Sequence, residues 1–387
     1  MIYAIKAQTI FDGDRLLEDH AVIIEDRHIV QVMPGHELPL ALEIRDLGAG
    51  ILAPGFIDIQ VNGGGGVMLN NAPSRDSVDV ITAGHRPTGT TSMMPTLISD
   101  SRSNQQAGID AVREARASGN AGVLGIHIEG PFFDLGKRGA HKASMIRPPE
   151  AEDINWLCSL DDLNVIVTLA PEHAQPGQIR QLAEAGVHVC AGHTNASYEQ
   201  IKGAVAEGLR GFTHVFNAMS PLGAREPGTV GAALDSDNTW AGIIADGHHV
   251  HPASIKMAHR MKPAGKLLLV TDAMSSVGSE DSSFDIYGER IQERGGRLIN
   301  SEGVLAGSAI GMIDAVRIAV CSVGLPLEES LRMAALYPAT FLKLEDELGR
   351  IAKGYRADLV HFDKDFQVHS TWLAGAHQSH SRGTDKS

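Results

Sequence analysis

Eight apolar runs recur along the middle of the chain, each short enough for a strand, in alternation with stretches of helical spacing. They read GFIDIQVN, GTTSMMPTLIS, AGVLGIHIEG, NVIVTLAPE, GVHVCAGHT, GFTHVFNAM, TWAGIIADG and KLLLVTDAM. Between them, QQAGIDAVREARASG, PGQIRQLAEAG, SYEQIKGAVAEGL and SIKMAHRMK carry apolar residues at helical intervals, most of them ending near a glycine. Strands buried on both faces and joined through helices lie parallel, because each crossover returns the chain to the same edge. Eight such units predict an α/β fold, a (β/α)8 TIM barrel over 54–344. An open doubly wound sheet is the alternative, and it is disfavoured because no G-x-G-x-x-G opens the first helix.

The two ends have another texture. MIYAIKAQTIF, DHAVIIED, RHIVQVMP and LEIRDLGAGILAPG are short strands broken by turn residues, and GRIAKGYRADLVHFDKDFQVHSTWLAG resumes the pattern near the C-terminus. Residues 1–53 and 345–376 are therefore expected to build one small β-sandwich, which keeps the ends of the inserted barrel close together. The polar stretch 377–387 reads as a flexible tail.

A chain of 387 residues with 43% apolar and 21% charged residues has ample material for such a core. Its formal charge of -14, without any dense Lys/Arg run, argues against a nucleic-acid surface. A small anionic substrate stays open, since one well-placed Arg decides the local field in a dry pocket. No run is long enough to span a membrane, and the first residues alternate like a strand with no basic segment leading an apolar one. Cys158, Cys190 and Cys321 are isolated, which suits a reducing cytoplasm and buried thiols.

In a barrel of this kind, polar groups at the C-terminal ends of strands carry the chemistry. Here those ends hold Gln60 and Asn62, Glu129, His193, His214 with Asn217, Asp246 with His249, and Asp272. Singly, each has a plain explanation: Glu129 and Asp272 could cap helices, and a lone His could be a bonded rim residue. Crowded at one mouth, unpaired carboxylates and imidazoles are costly unless a cation compensates them. Glu129, His193 and His214 match the donor chemistry of a catalytic zinc site with one position open to water. Asp272 is then placed to take a proton from that water and pass it to a leaving group.

His141, in the loop RGAHK, either polarises a carbonyl or is a solvated loop residue. His249 either bonds sugar hydroxyls or packs on the rim, and His248 has no assigned task. The loop from His214 to Gly228 is broken by Gly and Pro and ends near Arg225, so backbone N–H groups at Asn217 and Ala218 with one guanidinium could hold a phosphate. Gly63 to Gly66 is no P-loop, because no Gly-Lys-Ser/Thr follows; it reads as a tight connection passing close to the mouth.

PGFIDIQVNGGGG, PTLIS, GIHIEGPFF, RGAHK, AGHTNA, THVFNAMSPL, ADGHHV, VTDAM and LAGS, in this order, resemble the N-acetylglucosamine-6-phosphate deacetylases of the amidohydrolase superfamily. The resemblance spans nearly the whole chain. It implies a (β/α)8 barrel with a small β-sandwich, a homodimer, and removal of acetate from N-acetyl-D-glucosamine 6-phosphate. It implies Glu129, His193 and His214 as metal ligands, Asp272 as the acid/base, and His141 on the amide carbonyl. Ala140, Asn217, Ala218 and His249 match substrate contacts, Arg225 a phosphate contact reaching the neighbouring active site, and Leu305, Ala306 and Gly307 a segment lining the sugar pocket.

Some members carry His-x-His where this chain has Gln60 and Asn62; those hold two metals, whereas the Gln-x-Asn pattern implies one divalent ion per subunit. Zinc is the expected ion, and Fe(II), Co(II) and Mn(II) suit the same donors. Gln60 and Asn62 then occupy a vacated second-metal slot. His248 stands where many relatives are apolar, and His249 is assigned to the sugar by its place in the motif. Three rivals remain: a deacetylase for the C4 epimer N-acetylgalactosamine 6-phosphate, a barrel that binds a sugar phosphate without turnover, and a two-metal hydrolase with another carboxylate or a modified Lys bridging the ions. No Lys at a candidate strand end supports the last.

Overall fold

The computed structural model describes residues 2–301 and 303–380. Its centre is an eight-stranded parallel sheet, with strands β1 (Phe56–Val61), β2 (Thr90–Ile98), β3 (Gly125–Glu129), β4 (Asn164–Leu169), β5 (His188–Ala191), β6 (Gly211–Phe212), β7 (Trp240–Ile244) and β8 (Leu267–Val270) paired in sequence order. The first and last strands meet just past their ends: Val61 bridges Ala273, the Asp272 N–H donates to the Gln60 carbonyl over 3.0 Å, and the Asn62 N–H donates to the Ala273 carbonyl over 2.9 Å. The barrel expected from the eight apolar runs is closed by those bonds.

β1 and β2 are buried along their whole length, as strands with helices outside and a packed lumen inside must be. Three helices start at a capping serine. Ser74, Ser101 and Ser197 each accept a backbone N–H of the first turn of Arg75–His85, Arg102–Ala117 and Tyr198–Ala206. The apolar stripes of these helices, including Val78, Ile81, Ile109, Val112 and Ile201, join the barrel residues in one core.

The chain ends assemble as one continuous eight-stranded sheet. Ile51–Pro54 is the joint: it runs parallel to Ile2–Phe11 on one side and antiparallel to Leu359–Phe362 on the other. That sheet has its own core of Tyr3, Ile5, Ile10, Val22, Ile24, Leu52, Leu359 and Trp372. The stretch read as a tail needs correction, because Ala376–Ser379 pairs with Val368–Leu373 as an edge strand; all four of its residues are exposed, so no burial alternation marks it. Residues 381–387 lie outside the described residues.

A further element was not expected. After β8 a three-stranded antiparallel flap, Ser283–Ile286, Glu289–Arg294 and Arg297–Ile299, lies over the barrel mouth. It is tied down by the Tyr287 hydroxyl on the Ser99 carbonyl (2.5 Å) and by the Asn71 amide on the Asp285 carbonyl (2.7 Å). Beneath it the Gly63–Gly64 strand pairs with Val67–Met68; a Cβ on Gly63 would stand 2.4 Å from the Val67 oxygen, which explains the glycine there.

Candidate active site

His193, His214, Asp246 and Asp272 each stand two residues beyond the last residue of their strand, and Glu129 is the last residue of β3. Three of them adopt left-handed backbone, with φ of 50° at His193, 34° at His214 and 53° at Asp272. Such conformations cost a non-glycine residue roughly 1–3 kcal/mol, and they persist where surrounding structure imposes them. All three lie at the barrel mouth. They line one cavity of about 240 Å³ together with Glu129, Ala140, His141, Asn217, Ala218, His249, Leu305, Gly307 and the flap residue Ile286.

Glu129, His193 and His214 are buried, and their ligand atoms lie within 4.8 Å of one another. His214 Nε2 is 3.0 Å from both Glu129 Oε1 and His193 Nε2, and His193 Nε2 is 3.4 Å from the same oxygen. His193 Nδ1 donates to the Lys137 carbonyl over 2.8 Å, which leaves its Nε2 lone pair facing the cluster. Burial alone would raise the Glu129 carboxyl, but its close pairing with the His193 and His214 rings outweighs burial and holds it well below the usual range. An ionised carboxylate and two inward imidazole nitrogens, buried and convergent, fit a divalent cation.

Asp272 is not a helix cap, since no helix begins at it. Burial, and then the nearby charge of Glu129, push its carboxyl up to about 7, whereas a cation at the cluster would act in the opposite sense. Its Oδ1 accepts the Asn62 amide over 2.6 Å. His141 is a buried residue, not a solvated one. The Ser99 backbone N–H donates to its Nδ1 over 3.2 Å and the Ser99 hydroxyl lies 2.8 Å from the same atom. A backbone N–H can only donate, so Nδ1 is the acceptor and the ring proton is on Nε2. Burial, and then the charge of His193, keep this ring well below its usual pKa and therefore neutral. The residue is a fixed N–H donor at the cavity.

His249 faces the cavity, with Nδ1 donating to Asp246 Oδ2 over 2.6 Å. Burial opposes its protonation, but the Asp246 bond outweighs burial and raises it. His248 turns outward to the flap, where Arg297 Nε donates to its Nδ1 over 3.2 Å. Ala306 is buried behind Leu305 and Gly307 and does not itself line the cavity. The Asn217 N–H is already bonded to the His214 carbonyl over 3.0 Å, so of the two backbone donors expected for a phosphate only that of Ala218 is uncommitted. Arg225 is exposed and outside the cavity of its own chain, and among the described residues no Lys or Arg lines that cavity.

Asp58 was missed. It is fully buried on β1, its Oδ1 accepting the Gln60 N–H (3.2 Å) and its Oδ2 the Thr271 hydroxyl (2.5 Å), and burial pushes its carboxyl up to about 7. The signal was present in the two-residue repeat Asp58, Gln60, Asn62, which puts three polar residues on one face of a buried strand.

Residues 51–377 match the amidohydrolase family, and residues 2–52 match the NagA composite domain. The chain belongs to the amidohydrolase family. This amidohydrolase is 44% identical over 331 residues to the N-acetylgalactosamine-6-phosphate deacetylase of Shewanella sp. (strain ANA-3), covering 85% of this chain and 83% of that protein. It is 36% identical over 378 residues to the N-acetylglucosamine-6-phosphate deacetylase of Haemophilus influenzae, covering 97% and 99%. The crystal structure of N-acetylglucosamine-6-phosphate deacetylase from Pasteurella multocida superposes with a TM-score of 0.95 at 36% identity, covering 98% of this chain and all of that one. The barrel and the family resemblance both stand, and the enzyme is a hydrolase of the amide-cleaving kind. Among the described residues no helix is long and apolar enough to cross a membrane.

Proposed function

We propose that this amidohydrolase deacetylates N-acetyl-D-glucosamine 6-phosphate to D-glucosamine 6-phosphate and acetate, a step of amino-sugar catabolism. The observation that carries the reading is the meeting of a three-donor cation cluster, a neutral imidazole N–H donor and a separate buried carboxylate in one cavity. The names of full-length relatives support the substrate.

Glu129, His193 and His214 would hold one divalent ion per subunit, zinc before Fe(II), Co(II) or Mn(II), which supplies Lewis acidity to the amide carbonyl and lowers the pKa of water. His141 donates its Nε2–H to the amide oxygen as negative charge develops there. Asp272 accepts a proton from the attacking water as the new C–O bond forms. It then delivers that proton to the nitrogen as the C–N bond breaks, so one water is consumed and acetate and amine leave. His249, braced by Asp246, binds the sugar face, and Ala140, Asn217, Ala218, Leu305 and Gly307 line its site, with Ala306 as backing. Arg225 reaches the phosphate of the neighbouring subunit in a homodimer. The three unpaired thiols suit a cytoplasmic enzyme.

A second reading is favoured by one observation: the relative at 44% identity is named for the galactosamine epimer. A C4 epimer is discriminated by one or two hydrogen bonds. Acetate release from the two epimers, compared as kcat/KM, decides between them, and the glucosamine substrate is expected to lead. Asp272→Asn is expected to lower kcat by about 10²–10⁴ with the fold intact. Near-wild-type turnover of that variant would sink the mechanism.

A further inference from the structure

Gln60 and Asn62 are the two strand-end residues that the proposed reaction leaves without a task. Both are buried, and each points its amide at one of the two working carboxylates. Gln60 Nε2 donates to Glu129 Oε1 over 3.0 Å, and Asn62 Nδ2 donates to Asp272 Oδ1 over 2.6 Å. With both carboxylates ionised the amide orientation follows, because turning either group over would set a carbonyl oxygen against a carboxylate oxygen. The spacing is imposed by the backbone. The Asp272 N–H bonds the Gln60 carbonyl, the Asn62 N–H bonds the Ala273 carbonyl, and Asp58 ties the Gln60 N–H to the Thr271 hydroxyl across the same seam.

A pair of neutral space-fillers would not need these donors. Asn62 is also a poor filler, because its Oδ1 is buried with no hydrogen-bond partner, and an unsatisfied buried carbonyl destabilises the fold where a leucine would not. What the amide at Asn62 offers in return is its N–H on Asp272. Oδ2 of Asp272 makes no hydrogen bond among the described residues, whereas Oδ1 is occupied by a donor. The protonated oxygen of a carboxylic acid is the weaker acceptor, so a donor on Oδ1 keeps the proton on Oδ2.

We infer that Gln60 and Asn62 are positioning residues, Gln60 setting the plane of the Glu129 carboxylate for the cation and Asn62 reserving Oδ1 of Asp272 so that the proton is carried on Oδ2. This rests on the roles proposed above for Glu129 and Asp272. The slot left by a His-x-His pair is thus in use, by hydrogen bonds in place of a second ion.

The test compares wild type with Gln60→Met, Asn62→Leu and Asn62→Ala. Elemental analysis, chelator titration, melting temperature and kcat with KM are read for each. Gln60→Met is expected to lose its ion at roughly tenfold lower chelator concentration, the loss typical of removing a ligand's hydrogen-bond partner. Asn62→Leu is expected to lose about tenfold or more in kcat while KM and ion content hold, as when a purely transition-state interaction is removed. Asn62→Ala removes the donor without adding bulk or charge and answers the same question if the leucine variant does not fold. A chelator curve for Gln60→Met that superimposes on wild type overturns the Glu129 half. Both Asn62 variants within about twofold of wild-type kcat, or a drop matched by ion loss, overturn the Asp272 half. Wild type that binds its ion but releases no acetate would refute the deacetylase reading and leave the Gln60 comparison standing, so the two failures are distinguishable.

Discussion

The Ser99 backbone N–H points at Nδ1 of His141 over 3.2 Å, and this one bond decides the tautomer of a ring that lies in the mouth of the barrel. With Nδ1 committed as an acceptor and the ring neutral, Nε2–H is a permanent donor. Replacing His141 by Leu should lower kcat by about 10²–10³, the range seen when one oxyanion donor is removed, and leave ion content unchanged. His141→Gln, which can still present an N–H, should recover part of that loss. Equal kcat for the Leu and Gln variants would show that the donor is not what His141 contributes.

The same seam predicts what happens when the amides of the first strand become imidazoles. Gln60 and Asn62 lie within hydrogen-bond distance of Glu129 and Asp272, so a His pair at 60 and 62 would stand between two carboxylates. The double variant Gln60→His/Asn62→His should bind more than one divalent ion per chain, approaching two, by elemental analysis after dialysis. A ratio that stays at one would mean that more than this pair separates one-ion from two-ion designs.

What could be read from the sequence alone follows from how local each signal is. The barrel was legible because β1 to β8 are short apolar runs at regular spacing, and Glu129, His193, His214 and Asp272 because they fall where those runs end. Asp58 was harder to read: the repeat Asp58, Gln60, Asn62 puts it on the face of the two amides, but its partner Thr271 is 213 residues away, so nothing local shows what it bonds. The flap was invisible for a different reason. Its middle strand ERIQER buries only Ile291, too little for an alternation to be recognised. Where Arg225 acts is not legible in the sequence either, and its exposed side chain lies outside the cavity of its own chain.

Away from the mouth, Glu329 gives a prediction about acid stability. Its carboxylate accepts His259 Nε2 (3.3 Å), the Tyr337 hydroxyl (2.9 Å) and the Arg332 Nε (3.0 Å), joining the helix Leu327–Ala334 to Pro252–Met261. Burial would raise this group, but the three donors outweigh it and lower it to about 2. A carboxyl depressed in the folded state binds fewer protons there than when unfolded, so its stabilisation is complete above the unfolded value of 4.5 and fades as pH falls toward 2. The difference in unfolding free energy between wild type and Glu329→Gln should be constant near neutrality and shrink from pH 4.5 to pH 2, measured by urea denaturation at each pH. A difference that does not change across that window would contradict the depressed pKa.

Arg225 supplies the sharpest test of subunit exchange. An anionic phosphate needs a cation, yet among the described residues no Lys or Arg lines the cavity and Arg225 is exposed outside it. If its guanidinium serves the neighbouring active site, Arg225→Ala homodimers lack the phosphate contact in both sites, and Asp272→Asn homodimers lack the acid/base in both. A mixed dimer differs. The site built on the Arg225→Ala chain keeps Asp272 and receives Arg225 from its partner, so one of two sites is whole, while the other has lost both groups. Random exchange of equal amounts makes half the dimers mixed, and activity should return to about a quarter of the wild-type value. Size-exclusion chromatography establishes the dimer, and acetate release before and after exchange reads the recovery. Were Arg225 to act within its own chain, the Asp272→Asn chain would keep its Arg and lack its acid, the Arg225→Ala chain would have the reverse fault, and mixing would restore nothing.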